Sequence, residues 1–195
     1  MREVAAGLAY LHSRGAVHGD LRGNNIVVSN HGIAMLTDFG LSFQENGSCS
    51  LVKMKDQLGA MAWRAPEFAN LTILKPTRKS DVYSFGMCII EAVTLKSPLS
   101  EYSNEEIRQL LRHGGVKVDK PVEMTEPQWE LVKQMISFSP TDRPNLSEVV
   151  ERLEEFADDE EVEEAFGSRA TSVASPNQLL LLFVAILIAL GRYFL

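Results

Sequence analysis

The sequence has few cysteines and no cysteine pattern that would indicate a disulfide or a zinc site. Only Cys49 and Cys88 occur among 195 residues. Cys49 lies in a polar stretch rich in Gly and Ser, whereas Cys88 lies in an apolar run, so the two are poorly suited to pair with each other. This usage is typical of a protein in a reducing compartment.

An excess of basic residues and an N-terminal leader are also lacking. The formal net charge is −7, which argues against a nucleic-acid partner. Charged side chains interrupt the apolar ones throughout residues 1–15, so no signal peptide is predicted and we expect the main domain in the cytosol. Apolar residues make up 45% of the chain, which is enough for a packed core.

The spacing of the apolar residues predicts a mostly helical domain with one small hairpin. Helices are expected over 3–12, over 81–95 with Ser80 as the N-cap, over 104–113, and after two capping boxes at 125–128 and 145–148. The helix after the first box is expected to include Phe138. Residues 16–25 are expected to form a polar loop.

The hairpin suggests where a metal ion would bind. Two short β-type runs, 26–28 and 33–36, flank a turn. If the turn is centred between residues 31 and 32, Asn25 faces Asp38 across the strand ends, with Cβ atoms roughly 5 Å apart. An amide oxygen and a carboxylate at that spacing can share a hard cation such as Mg²⁺.

Three polar clusters interrupt this otherwise ordinary pattern. They are HGDLRGNN at 18–25, DFG at 38–40 and APE at 65–67. Together they resemble the catalytic loop, the metal-binding motif and the end of the activation segment in protein kinases. SDVYSFG at 80–86 and DRP at 142–144 resemble further signatures of the helical C-terminal lobe. Residues 1–156 are therefore identified as a protein-kinase C-lobe, similar through GAMAWRAPE at 59–67 to the tyrosine-kinase-like Ser/Thr kinases.

The resemblance implies a role for each motif residue. Asp20 would be the catalytic base, Arg22 would lie near the transferred phosphate, and Asn25 and Asp38 would bind Mg²⁺ and ATP. The resemblance also implies a set of structural residues: His18, Gly40, Glu67, Asp81 and Arg143. Glu67 would pair with Arg143, and Asp81 would brace the catalytic loop. A plainer alternative is that Asp20 and Asn25 only cap turns.

Several positions depart from the family pattern. Gly19 replaces the arginine that ordinarily binds a phosphorylated activation loop, and Ala60 lacks the hydroxyl that ties this segment to the catalytic aspartate. No Tyr lies between Asp38 and Glu67, which favours Ser/Thr specificity. The sequence shows no Gly-rich phosphate loop and no V-A-I-K lysine, so the ATP-clamping N-lobe is expected to be absent.

Two functions follow from these features. One is ATP-dependent phosphoryl transfer to Ser or Thr of protein substrates, in a domain truncated to its C-lobe. The other is a catalytically inactive fragment that acts as a membrane-tethered scaffold or regulator. We expect the isolated chain to be inactive, because half of the positioning apparatus would be missing.

The C-terminal region has a different composition. Residues 157–178 are acidic and then rich in Ser and Ala, which predicts a flexible linker. Residues 179–195 form a hydrophobic helix in this interpretation, about 25 Å long against a hydrocarbon core of roughly 30 Å. We predict a single C-terminal membrane anchor; the alternatives are a cytoplasmic protein, an interfacial helix, a GPI signal or an out-of-frame gene product.

Overall fold

The computed structural model describes residues 1–39, 42–44, 58–69 and 75–167. Within these ranges the helices are α1 (Arg2–Ser13), α2 (Arg78–Thr94), α3 (Asn104–Arg112), α4 (Glu126–Met135) and α5 (Leu146–Gly167). The strands are β1 (Ala16–Val17), β2 (Ile26–Val28), β3 (Ala34–Leu36) and β4 (Phe43–Gln44). Short 3₁₀ turns occupy Gly23–Asn25, Leu58–Trp63, Pro66–Phe68 and Pro140–Asp142.

Helix α2 forms the centre of the domain. It is apolar on nearly all sides, and such a helix is stable only when other elements surround it. Phe85 and Met87 are fully buried, and α2 packs against α4 and the Leu58–Trp63 turn. Helix α1 packs separately against α5 and β3. The mostly helical fold with a small hairpin is therefore present in the described residues.

The first turn of α2 differs from the prediction. Thr77, not Ser80, is the N-cap: its hydroxyl accepts the Ser80 N–H, and the Ser80 hydroxyl accepts the Thr77 N–H. The predicted start was wrong because Arg78 and Lys79 were taken as preceding the helix. The reciprocal capping box outweighs their unfavourable charge at a helix N-terminus.

The hairpin register also differs, by one residue. The pairs are Ile26↔Leu36, Val27↔Met35 and Val28↔Ala34, and the Thr37 N–H donates to the Asn25 carbonyl over 2.9 Å. Asn25 therefore faces Thr37, and the predicted pairing with Asp38 was wrong.

The turn explains this shift in register. The Ser29 backbone N–H donates to the Ile33 carbonyl over 2.9 Å, which leaves residues 30–32 as a three-residue loop. Its last residue, Gly32, has φ +78°. A three-residue hairpin loop ends in a left-handed glycine, whereas the predicted register assumed an even number of loop residues.

A second two-stranded sheet lies where a polar loop was expected. Strand β1 pairs antiparallel with β4, with Ala16 opposite Gln44 and Val17 opposite Phe43. Both residues of β1 are buried. This sheet fixes the backbone immediately before residue 18, where the first polar motif begins.

Helix α5 continues to Gly167, so the predicted linker does not begin at residue 157. Glu and Ala, which dominate 157–167, have high helix propensity, and the acidity of the segment hid this preference. No helix in the described ranges is long and apolar enough to cross a membrane. The predicted anchor at 179–195, the rest of the linker and Gly40 lie outside the described residues.

Candidate active site

Asp20 and Asn25 lie at the two ends of one turn and contact each other directly. The Asn25 amide donates to the Asp20 carbonyl over 2.7 Å and to the carboxylate atom Oδ2 over 3.2 Å. Both side chains are buried, at 8% and 3% exposure. Aspartate is rarely buried unless it has partners, so the hydrogen bonds from Asn25 stabilise Asp20 in its buried position.

The Asp81 carboxylate binds the backbone of the same loop. One carboxylate oxygen accepts the His18 N–H over 2.8 Å, and the other accepts the Gly19 N–H over 2.9 Å. The His12 Nε2 atom also lies 2.8 Å from Asp81. Because Asp81 is 1% exposed and sits in the first turn of α2, it fixes the loop to the central helix. This is the bracing contact that the sequence predicted.

His18 positions the loop through both ring nitrogens. Its Nδ1 atom accepts the Asp20 N–H over 3.3 Å, which makes Nε2 the protonated nitrogen that donates to the Thr37 carbonyl over 3.2 Å. The ring is fully buried, with its centroid 5.4 Å from that of Phe39. These contacts link the loop to the end of β3 and are those of a structural residue.

Burial and the neighbouring charges shift the pKa of Asp20 in opposite directions. Burial raises the pKa of Asp20, while Arg22 and Arg64 oppose that shift less strongly. Arg22 Nε lies 4.0 Å from Asp20 Oδ2, too far for a hydrogen bond. The carboxyl group therefore has a raised proton affinity while two guanidinium groups lie nearby.

This raised pKa predicts a pH-dependent stability. The folded protein binds the Asp20 proton more tightly than the unfolded chain does, so the group stabilises most at low pH. That contribution is lost as the pH rises through the folded-state pKa. Asp20→Asn removes the ionisation and should raise the urea midpoint at pH 7, with a difference that shrinks towards about pH 4. The exposed Asp119→Asn is the control, and an Asp20→Asn protein less stable than its parent at pH 7 would contradict the assignment.

Glu91 provides a second attachment of the loop to α2. Its Oε2 atom accepts the Gly23 N–H over 3.0 Å and the Trp63 indole N–H over 2.8 Å. Burial raises the pKa of Glu91, and these two donors partly offset that effect. A single carboxylate therefore joins α2, the loop at 18–25 and the turn at 58–63.

The Glu91 contact predicts that a side chain at position 23 destabilises the fold. A Cβ atom on Gly23 would overlap Glu91 Oε2, so Gly23→Ala must shift the carboxylate and weaken its hydrogen bonds to both donors. We expect a loss of about 1–3 kcal/mol in the free energy of unfolding. Gly7→Ala in α1 is the matched control: its nearest contact is Leu36 Cδ1 at 3.6 Å, and it should stabilise by up to about 1 kcal/mol. Equal melting curves for the two variants would rule out this packing.

Asp38 lies two residues after the end of β3 and has an unusual backbone conformation. Its φ is +58°, a left-handed value that Asp tolerates better than most residues. The side chain is exposed. Because Asn25 pairs with Thr37, Asp38 lies one position beyond the end of the ladder. Both predicted metal ligands are thus at the open end of the same hairpin, and their sharing of one ion stays a prediction.

Glu67 and Arg143 lie away from this loop and contact each other. Arg143 Nη1 donates to Glu67 Oε1 over 2.9 Å and Nη2 to Oε2 over 2.8 Å. The Glu67 side chain is 10% exposed and the Arg143 side chain 0%. This bidentate pair joins the turn after residue 65 to the turn at 140–143 that leads into α5, far along the chain.

Four residues near the loop were missed by sequence reasoning: His12, Trp63, Arg64 and Glu91. Glu91 carries a signal that could have been used, because an acidic residue in a nearly continuous apolar helix needs a partner. The others give no such signal. His12 and Trp63 act on the loop through Asp81 and Glu91 of α2, which are 69 and 28 residues away from them along the chain, and local patterns do not encode such distant contacts.

Comparison with known proteins places this arrangement in one family. The family model described as protein tyrosine and serine/threonine kinase matches residues 1–153. A serine/threonine/tyrosine-protein kinase of Arabidopsis thaliana is 33% identical over 174 residues, covering 89% of this chain and 42% of the relative.

Two further relatives are similar over most of this chain. A Raf homolog serine/threonine-protein kinase of Caenorhabditis elegans is 30% identical over 80% of this chain and 20% of its own length. Fibroblast growth factor receptor 1 of Xenopus laevis is 33% identical over 78% of this chain and 18% of its own. The chain spans less than half the length of each of these curated relatives.

Proposed function

This chain belongs to the family of protein tyrosine and serine/threonine kinases, and on that basis we propose that it supplies the substrate-side half of a kinase active site. The proposed reaction transfers the γ-phosphoryl group of ATP to a Ser or Thr hydroxyl of a protein. The observation that carries the proposal is the buried Asp20 carboxylate, which Asn25 orients in a loop attached to α2 at both ends. A residue that only capped a turn would need neither the burial nor the two attachments.

Asp20 is proposed to accept the proton of the substrate hydroxyl. Asn25 donates to Oδ2, which leaves Oδ1 as the oxygen for the incoming O–H. The proton moves to Oδ1, the hydroxyl oxygen forms a bond to the γ-phosphorus, and the bond from that phosphorus to the departing ADP oxygen breaks with its electron pair going to ADP. Burial favours this role, because a raised pKa makes a carboxylate a better proton acceptor.

The residues at the hairpin end fit Mg²⁺ by donor chemistry. The Asn25 amide nitrogen is committed to Asp20, so its carbonyl oxygen is the atom available to a cation. Asp38 contributes an exposed carboxylate, and Mg²⁺ prefers such oxygen ligands. When bound, Mg²⁺ neutralises charge on the transferred phosphates. Asn25 and Asp38 would hold it, and Arg22 would add a positive charge on the substrate side.

An exposed apolar face beside this site is an argument for a second lobe that packs against it. Val27 and Met35 are paired across the hairpin and are 40% and 44% exposed, and Phe39 is 51% exposed. Exposed apolar side chains grouped in this way mark contact surfaces. We propose that this face packs against a lobe that carries the Gly-rich loop and the V-A-I-K lysine, neither of which occurs in these 195 residues.

The test compares the 195-residue chain alone with the same chain joined to such a lobe. Alone, it should transfer little or no phosphoryl group from radiolabelled ATP, because positioning and charge stabilisation dominate this chemistry. The joined protein should label Ser or Thr. Robust Asp20-dependent labelling by the chain alone would contradict the need for the lobe, and labelling of Tyr alone would contradict the proposed specificity.

The second proposed function is a catalytically inactive scaffold. Gly19 favours it, because no arginine precedes Asp20 to bind a phosphorylated activation loop. In the experiment above, a joined protein that binds ATP but labels no protein would favour the scaffold over the enzyme.

Membrane attachment through 179–195 stays a proposal, and it predicts how the chain fractionates. The segment is apolar apart from Arg192, and Tyr193 and Phe194 suit a membrane interface. The full chain should sediment with membranes and need detergent, whereas a version ending at Asn177 should remain in the supernatant. If both versions stay soluble and monodisperse without detergent, the anchor does not exist and the protein is cytoplasmic.

A further inference from the structure

A cleft of about 290 Å³ lies where the C-terminal end of α1 meets the N-terminal turns of α2 and α5. Its lining includes the polar residues His12, Lys79 and Ser147, and Val82 adds apolar surface. Ligand pockets in proteins are roughly 300–1,000 Å³, so the cleft has room for a small molecule. None of the described residues that line it belongs to the loop at 18–25, so it is separate from the candidate active site.

The N-terminal turn of α5 supplies hydrogen-bond donors to this cleft. The first N–H groups of a helix have no partner within the helix, and a capping box at 145–148 was expected to satisfy them. Asn145 Oδ1 instead accepts from Lys79 Nζ over 2.9 Å. No side chain of the described residues accepts from the N–H of Leu146 or Ser147, and both residues line the cleft. The predicted box therefore does not form, and its donors are open to a ligand.

The charge around these donors is positive. Arg78 and Lys79 line the cleft, and the described part of its lining contains no acidic side chain. The Lys79 ammonium donates to the Arg143 carbonyl over 2.6 Å and to Asn145, which leaves one of its three N–H groups for a ligand. The start of α5 adds the partial positive charge of a helix N-terminus. Together these groups favour an anion.

A buried acceptor indicates that the ligand also carries a donor. His12 lines the same cleft and is 5% exposed. Its Nε2 atom lies 2.8 Å from Asp81 Oδ2, and a carboxylate only accepts, so Nε2 carries the proton and Nδ1 is the acceptor nitrogen. Nδ1 has no hydrogen-bond partner among the described residues, and it is not one of their fully enclosed unpaired atoms. The cleft therefore gives a ligand access to it.

We propose that this cleft binds a small organic anion that also carries a hydroxyl group, the chemistry shared by sugar phosphates and hydroxy acids. The anionic group accepts from the N–H groups at the start of α5 and from Lys79. The hydroxyl donates to His12 Nδ1, and the carbon atoms of the ligand pack on Ala9 and Val82, which also line the cleft. This inference goes beyond the proposed function and does not depend on it.

The Asp81 carboxylate connects this cleft to the loop at 18–25. Its Oδ2 atom contacts both His12 and the His18 N–H, and its other oxygen accepts the Gly19 N–H. A ligand that holds the His12 ring in place would also hold Asp81 against the loop. We therefore expect hydrogen exchange of the amides at 18 and 19 to become slower when the cleft is occupied.

The test of the anion-binding end is thermal melting of the full 195-residue chain in detergent, at constant ionic strength. Glycerol 3-phosphate should raise the melting temperature more than inorganic phosphate or glycerol does. Ser147→Pro deletes one free N–H group, and the fold tolerates proline there because Pro127 occupies the same position in α4. It should weaken binding by about tenfold. Ser147→Ala is the matched control, since it removes only the hydroxyl and keeps the N–H group.

A second variant tests the hydroxyl-binding end. His12→Gln places a donor nitrogen where Nε2 contacts Asp81 and removes the Nδ1 acceptor. The variant should bind glycerol 3-phosphate no better than inorganic phosphate, and its affinity for inorganic phosphate should equal that of the parent. Lactate is the carboxylate probe: a response to lactate but not to glycerol 3-phosphate, lost in the same variants, would identify a hydroxy acid as the ligand.

Three results would overturn the site. They are a parent protein that responds to neither anion, a Ser147→Pro protein that keeps the full response, and a parent that binds inorganic phosphate as tightly as glycerol 3-phosphate. Because each comparison is made within one variant, a general loss of stability does not imitate a loss of binding. Unchanged hydrogen exchange at 18 and 19 with ligand bound would keep the site and overturn its connection to the loop.

Discussion

Removal of either partner of the Glu67–Arg143 pair should lower the free energy of unfolding by about 3–5 kcal/mol. The pair is bidentate, and its side chains are 10% and 0% exposed. A single substitution therefore leaves the other charge unpaired in a region of low dielectric. The measurement is urea denaturation of the parent, Glu67→Ala and Arg143→Ala proteins.

Arg143→Ala is expected to have the larger effect of the two. Besides Glu67, the guanidinium donates to the backbone carbonyls of Ser137, Lys79 and Phe138 over 2.9, 3.0 and 3.1 Å. Its Cζ atom also lies 5.1 Å from the centre of the Tyr83 ring. Loss of Glu67 leaves these contacts in place, whereas loss of Arg143 removes them all.

An exposed pair on the same fold supplies the control. Arg152 and Glu155 lie 3.4 Å apart with side chains 37% and 60% exposed, and such surface pairs contribute about 0–1 kcal/mol. Arg152→Ala should therefore melt close to the parent. If Glu67→Ala also melts close to the parent, the buried pair does not hold the turn after residue 65 to α5.

Asp20→Asn should reduce phosphoryl transfer by roughly 10²–10⁴-fold in a protein that contains both lobes, the range typical of losing a general base. The substitution keeps the shape of the side chain, and its amide oxygen can still accept from Asn25. It removes the negative charge and with it the ability to take the hydroxyl proton. The measurement is the initial rate of Ser or Thr labelling from ATP.

The stability prediction makes this rate measurement easier to interpret. Asp20→Asn is expected to be at least as stable as the parent at neutral pH, so a lower rate would not reflect unfolding. Asp119→Asn, on an exposed loop, should leave the rate unchanged. A fully active Asp20→Asn protein would remove Asp20 from the mechanism and with it the main support for the proposed reaction.

The sequence predicted those parts of the structure that local patterns determine. The apolar runs of α1, α2 and α3 and the Thr125 capping box correspond to helices that begin or end within a few residues of the predicted positions. Asp81 and the Glu67–Arg143 pair were placed by motif order, which carries long-range information that no single helix or strand contains.

Two of the errors concerned a choice between nearly equivalent local geometries. A three-residue loop ending in Gly32 shifts the hairpin by one position relative to a loop with an even number of residues. Helix α4 was expected to include Phe138, yet it ends at Met135. The carbonyls of Ser137 and Phe138 instead accept hydrogen bonds from Arg143, a residue of the following turn. Contacts of that kind are decided by tertiary packing and not by periodicity.

The carboxylates of Asp81 and Glu91 on α2 fix the distance that the loop between Gly19 and Gly23 must span. Asp81 and Glu91 are ten residues apart, which is about 15 Å along a helix. They bind the backbone at Gly19 and at Gly23, and four residues reach at most about 14 Å when fully extended. Arg22 is indeed extended, with φ −161° and ψ 165°.

The segment that carries Asp20 therefore has little slack between its two anchoring points. A deletion within it would force one carboxylate to release its N–H, and an insertion would let the segment bow away from the helix. The distance between Asp81 and Glu91 along α2 therefore sets the spacing of Asp20 and Arg22 in the loop, so the length of this segment is as much a requirement as its chemistry.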